Sequence, residues 1–199
     1  MICHKHKCIL VHIPACAGSS MEKAIVGYDW WDKDPETKHL KSHQAKKIYS
    51  EYWSDYFKFS FVRNPWSRTL SLAQHKCHKV HVNHKTKEIN LIDWVAQAED
   101  FEVFPMDGKK HLYDKKPKQN AIYLNYLLEG LDFVGRFENL KTEWEYIKDK
   151  LKIKNNLPKI QDTKSPMYSH YSDYYDEKSN KIILSKYQKD IEYFNYKFE

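Results

Sequence analysis

Two strand-like runs that each break into a loop and then a helix constrain this chain more than any other feature. The first, Cys8-Ile-Leu-Val-His-Ile13, is continuous rather than alternating, as a parallel strand covered on both faces should be. Pro14 stops it, residues 15–18 form a small-residue loop, and Ser19 or Ser20 is placed to cap a short helix carrying Met21, Ala24 and Ile25. The second, Phe57-Lys-Phe-Ser-Phe-Val62, is dense in aromatic and β-branched residues. It runs into Arg63-Asn64-Pro65, where Asn64 suits an N-cap and Pro65 a first helical position. That helix is predicted to continue through Leu70 and Leu72 towards Lys79.

Between these turns, a polar stretch over residues 28–41 reads as loop, and Ser42 is placed to cap a helix with Ala45, Ile48, Tyr49 and Tyr52 on one face. The signal weakens over residues 77–118, apart from a helical piece around 91–98, so surface loops that meet an acceptor are expected there. A helix around 121–128 precedes a third strand, Leu131-Asp-Phe-Val-Gly-Arg-Phe137. Asn139 then caps a helix whose Leu140, Trp144, Ile147 and Leu151 share one stripe. A last helix carries Ile183, Tyr187 and Ile191. Strands separated by helices give βαβ units. The expected class is α/β, three-layer, with a mostly parallel sheet, in a single domain over 1–199.

With 41% hydrophobic and 15% aromatic residues the chain has the material for a core, which argues against general disorder. The net charge of +6 is scattered, with no dense basic arm for nucleic acid. No apolar run is long enough for a membrane span, and Cys3, Cys8, Cys16 and Cys77 lack the spacing of a disulfide framework. A cytoplasmic protein fits these features, and oligomeric state is not readable.

Ligands in a parallel α/β sheet sit at the carboxyl ends of strands, so the two turns are where chemistry is expected. In His12-Ile-Pro-Ala-Cys-Ala-Gly-Ser-Ser20 small residues let the backbone approach an anion, and a following helix N-terminus aims N–H groups at it. The lysine of a Walker A loop is missing. Arg63 leaves a buried strand with a planar fork suited to a phosphate, and Ser71 follows eight residues later.

Taken together the two turns resemble the donor motifs of the sulfotransferases that use 3′-phosphoadenosine 5′-phosphosulfate (PAPS), in the branch that sulfates carbohydrate hydroxyls. Pro14, Ala15, Cys16, Ala17, Gly18, Ser19 and Ser20 stand at the positions of the 5′-phosphosulfate loop, a P-loop-like turn, and all but Ala15 fit its pattern. Phe61-Val-Arg-Asn-Pro-Trp-Ser-Arg-Thr-Leu-Ser71 matches the 3′-phosphate motif. Ser42-His43-Gln44, Gln119, Val134-Gly-Arg-Phe-Glu-Asn-Leu140 and Asp190-Ile-Glu-Tyr-Phe-Asn-Tyr196 extend the likeness along most of the chain. The resemblance implies a 5′-phosphosulfate held by the backbone from residue 14 to 20, and a 3′-phosphate held by Arg63 and Ser71. It also implies donor contacts from Lys164, Ser165 and Tyr171, and His43 as the base that deprotonates an acceptor hydroxyl, a task suited to an imidazole. The product would be 3′-phosphoadenosine 5′-phosphate (PAP), and no metal is needed.

One position departs from that family. Ala15 stands where its members carry a lysine whose ammonium would neutralise the leaving oxygen. Losing one such preorganised donor costs about 3 kcal/mol, a hundredfold or more in rate. An introduced lysine-to-alanine change and a natural variant of slow turnover both account for it. Two other readings stay open: a non-catalytic module that binds PAP or PAPS, and a kinase-like enzyme sharing the sheet. Cys3, His4, His6 and Cys8, and His75, Cys77, His78, His81 and His84, match no common zinc pattern. Lys76, Lys79 and Lys85 lie near the second of these clusters and would suit an anionic sugar acceptor.

Overall fold

The computed structural model describes residues 1–73, 82–83, 85–86, 88–89, 119–158 and 170–199. Contacts gather the chain into two compact units. Among the described residues the first comprises Met1–Arg63 and 125–158, and the second takes the remainder.

The first unit is built on a four-stranded sheet whose strands, in spatial order, are 2–3, 8–10, 57–62 and 133–136. β1 (Ile2–Cys3) pairs antiparallel with β2 (Cys8–Leu10). β2 pairs parallel with β3 (Phe57–Val62), and β3 parallel with β6 (Phe133–Arg136). The expected mixed α/β sheet, mostly parallel, is therefore present. The first predicted run is regular only over its first half. Beyond Leu10 it stays on β3 through Val11 N–H, which donates to the Phe59 carbonyl at 2.9 Å, and through Ser60 Oγ, which donates to the Val11 carbonyl at 2.7 Å. Cys8, Ile9, Phe59 and Val62 are fully buried, as continuous apolar strands require.

Helices α1 (Gly18–Val26), α2 (Ser42–Ile48), α3 (Ser50–Trp53) and α6 (Leu140–Leu151) belong to this unit. Trp144, Ile147 and Leu151 form the buried stripe of α6, as their spacing predicts. Gly135 in β6 is closely packed: an added Cβ would meet Glu143 Oε2 at 2.4 Å and the Phe61 ring at 2.5 Å. Under α2, Ile9, Leu40, Ala45, Tyr49 and Tyr56 form an apolar cluster. Ser42 does not cap its own helix. Its hydroxyl accepts from the Glu129 N–H at 2.8 Å, while Gln44 reaches back to the Lys41 N–H at 2.8 Å.

The hairpin before β2 engages two of the histidines in the Cys3–Cys8 cluster. His4 Nδ1 lies 2.8 Å from Tyr56 Oη, and His6 Nδ1 donates to the Leu151 carbonyl at 2.9 Å. Cys3, Cys8 and Cys16 are buried free thiols.

The second unit contains α4 (Pro65–Ala73), the short hairpin β4 (Val82–Asn83) and β5 (Glu88–Ile89), α5 (Tyr123–Tyr126, shared at its start), α7 (Glu177–Lys186) and α8 (Gln188–Phe194). Asn64 caps α4 as its sequence predicts: Oδ1 accepts from Trp66 N–H at 3.1 Å and Ser67 N–H at 3.3 Å. The continuation of this helix towards Lys79 lies outside the described residues. In place of the one final helix that the spacing predicts, two are found, broken at Tyr187 because Lys189 N–H donates to the Asn120 carbonyl at 3.0 Å instead of to its own helix. Asp190 is fully buried and its carboxylate accepts the N–H groups of Ile122, Tyr123 and Leu124, the latter two at 3.0 and 2.9 Å. Among the described residues no helix is long and apolar enough to cross a membrane.

Candidate active site

The turn after β2 is tighter than its small residues alone imply. Ala15 and Ala17 both take positive φ, 62° and 66°, and Ala17 occupies the N-cap position of α1 without a side-chain cap. The expected cap by Ser19 or Ser20 is not formed, because the helix already starts at Gly18 and puts both serines inside its first turn. There both residues are partly exposed, and the Ser20 N–H donates to the Ala17 carbonyl at 3.1 Å. Ala15 is partly exposed as well, whereas Pro14 and Cys16 are buried, and the Cys16 thiol donates to the Pro14 carbonyl at 3.6 Å.

Gly18 is fixed by the approach of His12. A Cβ at this position would stand 2.2 Å from His12 Cδ2 and 2.3 Å from Nε2. The ring faces Gly18 because its other nitrogen is held by Glu22, with Nδ1 donating to Oε1 at 2.6 Å. Glu22 is fully buried on the face of α1 that carries Met21 and Ile25, and three donors surround its carboxylate. Besides His12, Oε2 accepts from Trp30 N–H at 3.0 Å and Lys38 Nζ at 2.7 Å. Burial alone would raise this carboxyl, but the His12 ring and the Lys38 ammonium outweigh it and hold it at about 2. Burial lowers His12 from the usual imidazole range, while its bond to Glu22 acts in the opposite direction. His39 stacks edge-on to His12 at 4.5 Å and donates from Nδ1 to the His12 carbonyl at 3.1 Å. Burial, followed by the neighbouring His12, lowers it well below the usual range.

Lys38 is 1% exposed. Its ammonium bonds Glu22 and Asp29, and donates to Ser19 Oγ at 3.2 Å. Sequence reasoning places residues 28–41 in a polar loop and gives Lys38, Glu22 and His39 no role. The available signal is Glu22 itself, a carboxylate on an apolar helix face with Gly18, Met21 and Ile25, which requires a cation from elsewhere.

His43 lies in the first turn of α2, half-buried, four residues beyond His39 and five beyond Lys38. Those two contacts bind the segment leading to α2 onto the small-residue turn. At the end of β3, Arg63 lays its guanidinium over the Phe137 ring at 4.1 Å and donates from Nη1 to the Ala15 carbonyl at 3.2 Å. The first unit therefore brings together the turn, Arg63 and the Lys38 cluster.

The sulfotransferase family model matches residues 1–197. The chain belongs to the sulfotransferase family. No curated protein and no solved structure matches it. As in its family, the chemistry supported is transfer of a sulfuryl group to a hydroxyl acceptor.

In the second unit of this sulfotransferase, Ser71 is half-buried on α4. Trp66 and Arg68, from the same 61–71 segment, are used for packing. Arg68 is fully buried, donates from Nη1 to Tyr187 Oη at 2.6 Å and lies over the Tyr123 ring, while Trp66 Nε1 donates to Asn180 Oδ1 at 2.8 Å. Tyr171 begins a short helical turn, and its hydroxyl accepts from Asn64 Nδ2 at 3.2 Å, so it touches the residue that caps α4. Lys164 and Ser165 lie outside the described residues, as do Lys76, Lys79 and the cluster from His75 to His84; Lys85 is exposed. Among the described residues no group of three His, Cys, Asp or Glu side chains is placed to hold a metal ion.

Proposed function

We propose that this sulfotransferase takes PAPS as donor and passes its sulfuryl group in line to a hydroxyl of a carbohydrate or small molecule, releasing PAP. The acceptor oxygen forms the new S–O bond as the bridging S–O bond to the 5′-phosphate breaks, and the hydroxyl proton passes to His43. The turn from Pro14 to Ser20 receives the phosphosulfate through backbone N–H groups and the two serine hydroxyls. Arg63 receives the 3′-phosphate, Ser71 keeps the donor role its motif gives it, and Tyr171 keeps the donor contact that the family resemblance implies. Lys164 and Ser165 would add to the same donor contacts. The match over 1–197 supports reading the chain as one sulfotransferase domain. It also displaces the kinase-like alternative.

The observation that supports this reading most is the Arg63–Ala15 contact at the ends of adjacent parallel strands. A guanidinium is fixed beside a turn that leads into the N-terminus of α1, an arrangement suited to a ligand carrying two phosphate groups. Calorimetric titration tests it. PAP should bind with an affinity that falls sharply in Arg63→Ala, and AMP should bind weakly. ATP binding as well as PAP, or PAP not binding, would remove the donor assignment.

Ala15 favours a second reading, a module that binds the donor without turning it over. Without an ammonium at this position, turnover should be slower by about a hundredfold. The substitution Ala15→Lys discriminates: activity should rise in an enzyme and stay absent in a binder.

A further inference from the structure

The Lys38 cluster is larger than structural support of one helix requires. A lysine with 1% exposure is costly to bury, and here it is matched by two carboxylates rather than one. Its third contact is the hydroxyl of Ser19, in the turn that carries no cation of its own at Ala15. An ammonium has only protons to give, so Ser19 Oγ is the acceptor in that bond. The oxygen is thereby fixed in place beside a full positive charge, and the Ser19 side chain also bonds Asp29, the second carboxylate that Lys38 pairs with. The same ammonium offsets one of the two negative charges of Glu22 and Asp29 beside a turn that must admit an anion.

We propose that Lys38 is a positioning residue of the anion-binding turn: through Ser19, and by cancelling carboxylate charge beneath the turn, it sets the affinity for the 5′-phosphate end of the ligand. This rests on the donor reading above. It assigns the electrostatic support of the turn to a residue 23 positions beyond Ala15 in the chain. Arg63 serves the opposite end of the ligand, so the two cations divide the recognition between them.

The test separates the two ends. PAP and adenosine 3′-phosphate differ only in the 5′-phosphate. Lys38→Met should weaken PAP by about tenfold, the worth of one charge-assisted hydrogen bond, and leave adenosine 3′-phosphate within about twofold. Arg63→Ala should weaken both ligands. A merely structural role for Lys38 would lower both affinities together or neither, and either result overturns the proposal. Should Lys38→Met not fold, the double variant Glu22→Gln/Lys38→Met removes one buried charge of each sign, leaves the net charge of the cluster unchanged, and reads the Ser19 contact with the same pair of ligands. The two conclusions fail differently. If the unsubstituted protein does not bind PAP, the donor reading falls and the role of Lys38 with it. If it binds PAP through Arg63 but Lys38→Met does not discriminate between the ligands, only the role of Lys38 falls.

Discussion

Gly18→Ala should destabilise this protein, although alanine is the better helix former. The added Cβ would lie 2.2 to 2.5 Å from three atoms of the His12 ring, more than 1 Å inside the ordinary contact of about 3.5–4.0 Å. The ring has nowhere to retreat. It is 4% exposed, its far nitrogen is 2.6 Å from Glu22, and His39 packs against its face. Overpacking of this kind costs about 1–3 kcal/mol, and turning the ring away also forfeits a hydrogen bond to a charged group, worth about 1.5–3 kcal/mol. The gain from replacing glycine is at most about 1 kcal/mol and is smaller in a first turn. The expected net loss is about 2 kcal/mol.

Urea unfolding followed by tryptophan fluorescence measures that loss, and a double-mutant cycle with His12→Ala shows where it comes from. In the His12→Ala background the Cβ has room, so Gly18→Ala should become neutral or slightly stabilising. The coupling between the two positions should be about 2 kcal/mol. A Gly18→Ala protein within about 0.5 kcal/mol of its parent, or one equally destabilised in both backgrounds, would refute the argument from His12.

Three further outcomes follow from buried polar groups and close packing. Glu22 titrates at about 2 when folded against an ordinary 4.5, so its contribution is fully present above pH 4.5 and lost as pH falls through about 2. That contribution is about 3 kcal/mol, and acid unfolding of Glu22→Gln should lack the limb the parent shows in this window. Asp190→Asn keeps the shape but replaces one acceptor oxygen by a donor facing backbone N–H groups. It should cost about 2 kcal/mol and speed amide hydrogen exchange at residues 122–124. Gly135→Ala drives a methyl into Phe61 and Glu143 and should lower stability by about 1–3 kcal/mol in thermal melts.

The parts of the fold legible in the sequence are those decided within a few neighbouring residues. β3 announces itself because Phe59, Phe61 and Val62 must be buried together, and the start of α4 because Asn64 and Pro65 can each do only a few things there. The stripe of α6 is legible for the same reason, since one helix period sets which face Trp144, Ile147 and Leu151 share. The break at Tyr187 is not legible. Ile183, Tyr187 and Ile191 keep the same spacing whether one helix or two carries them, and the break depends on a carbonyl at Asn120, nearly 70 residues away in the chain. β1 escapes a reading by pattern because two residues carry no period.

The candidate site divides in the same way, and the division has a physical cause. The residues proposed to meet a ligand directly, in the turns at Pro14 and Arg63, stand in runs whose residue types are restricted by local backbone demands. The residues that support them act through charge, and a charge pair needs only proximity in space. Lys38 reaches Glu22 across 16 positions and Ser19 across 19, and no periodicity marks either pairing. What does betray such a network is a violation: a carboxylate on the buried face of a helix cannot stand alone at neutral pH. Glu22 beside Met21 and Ile25 is that violation. It demands a cation and a donor from elsewhere in the chain, and Lys38 and His12 fill those two roles.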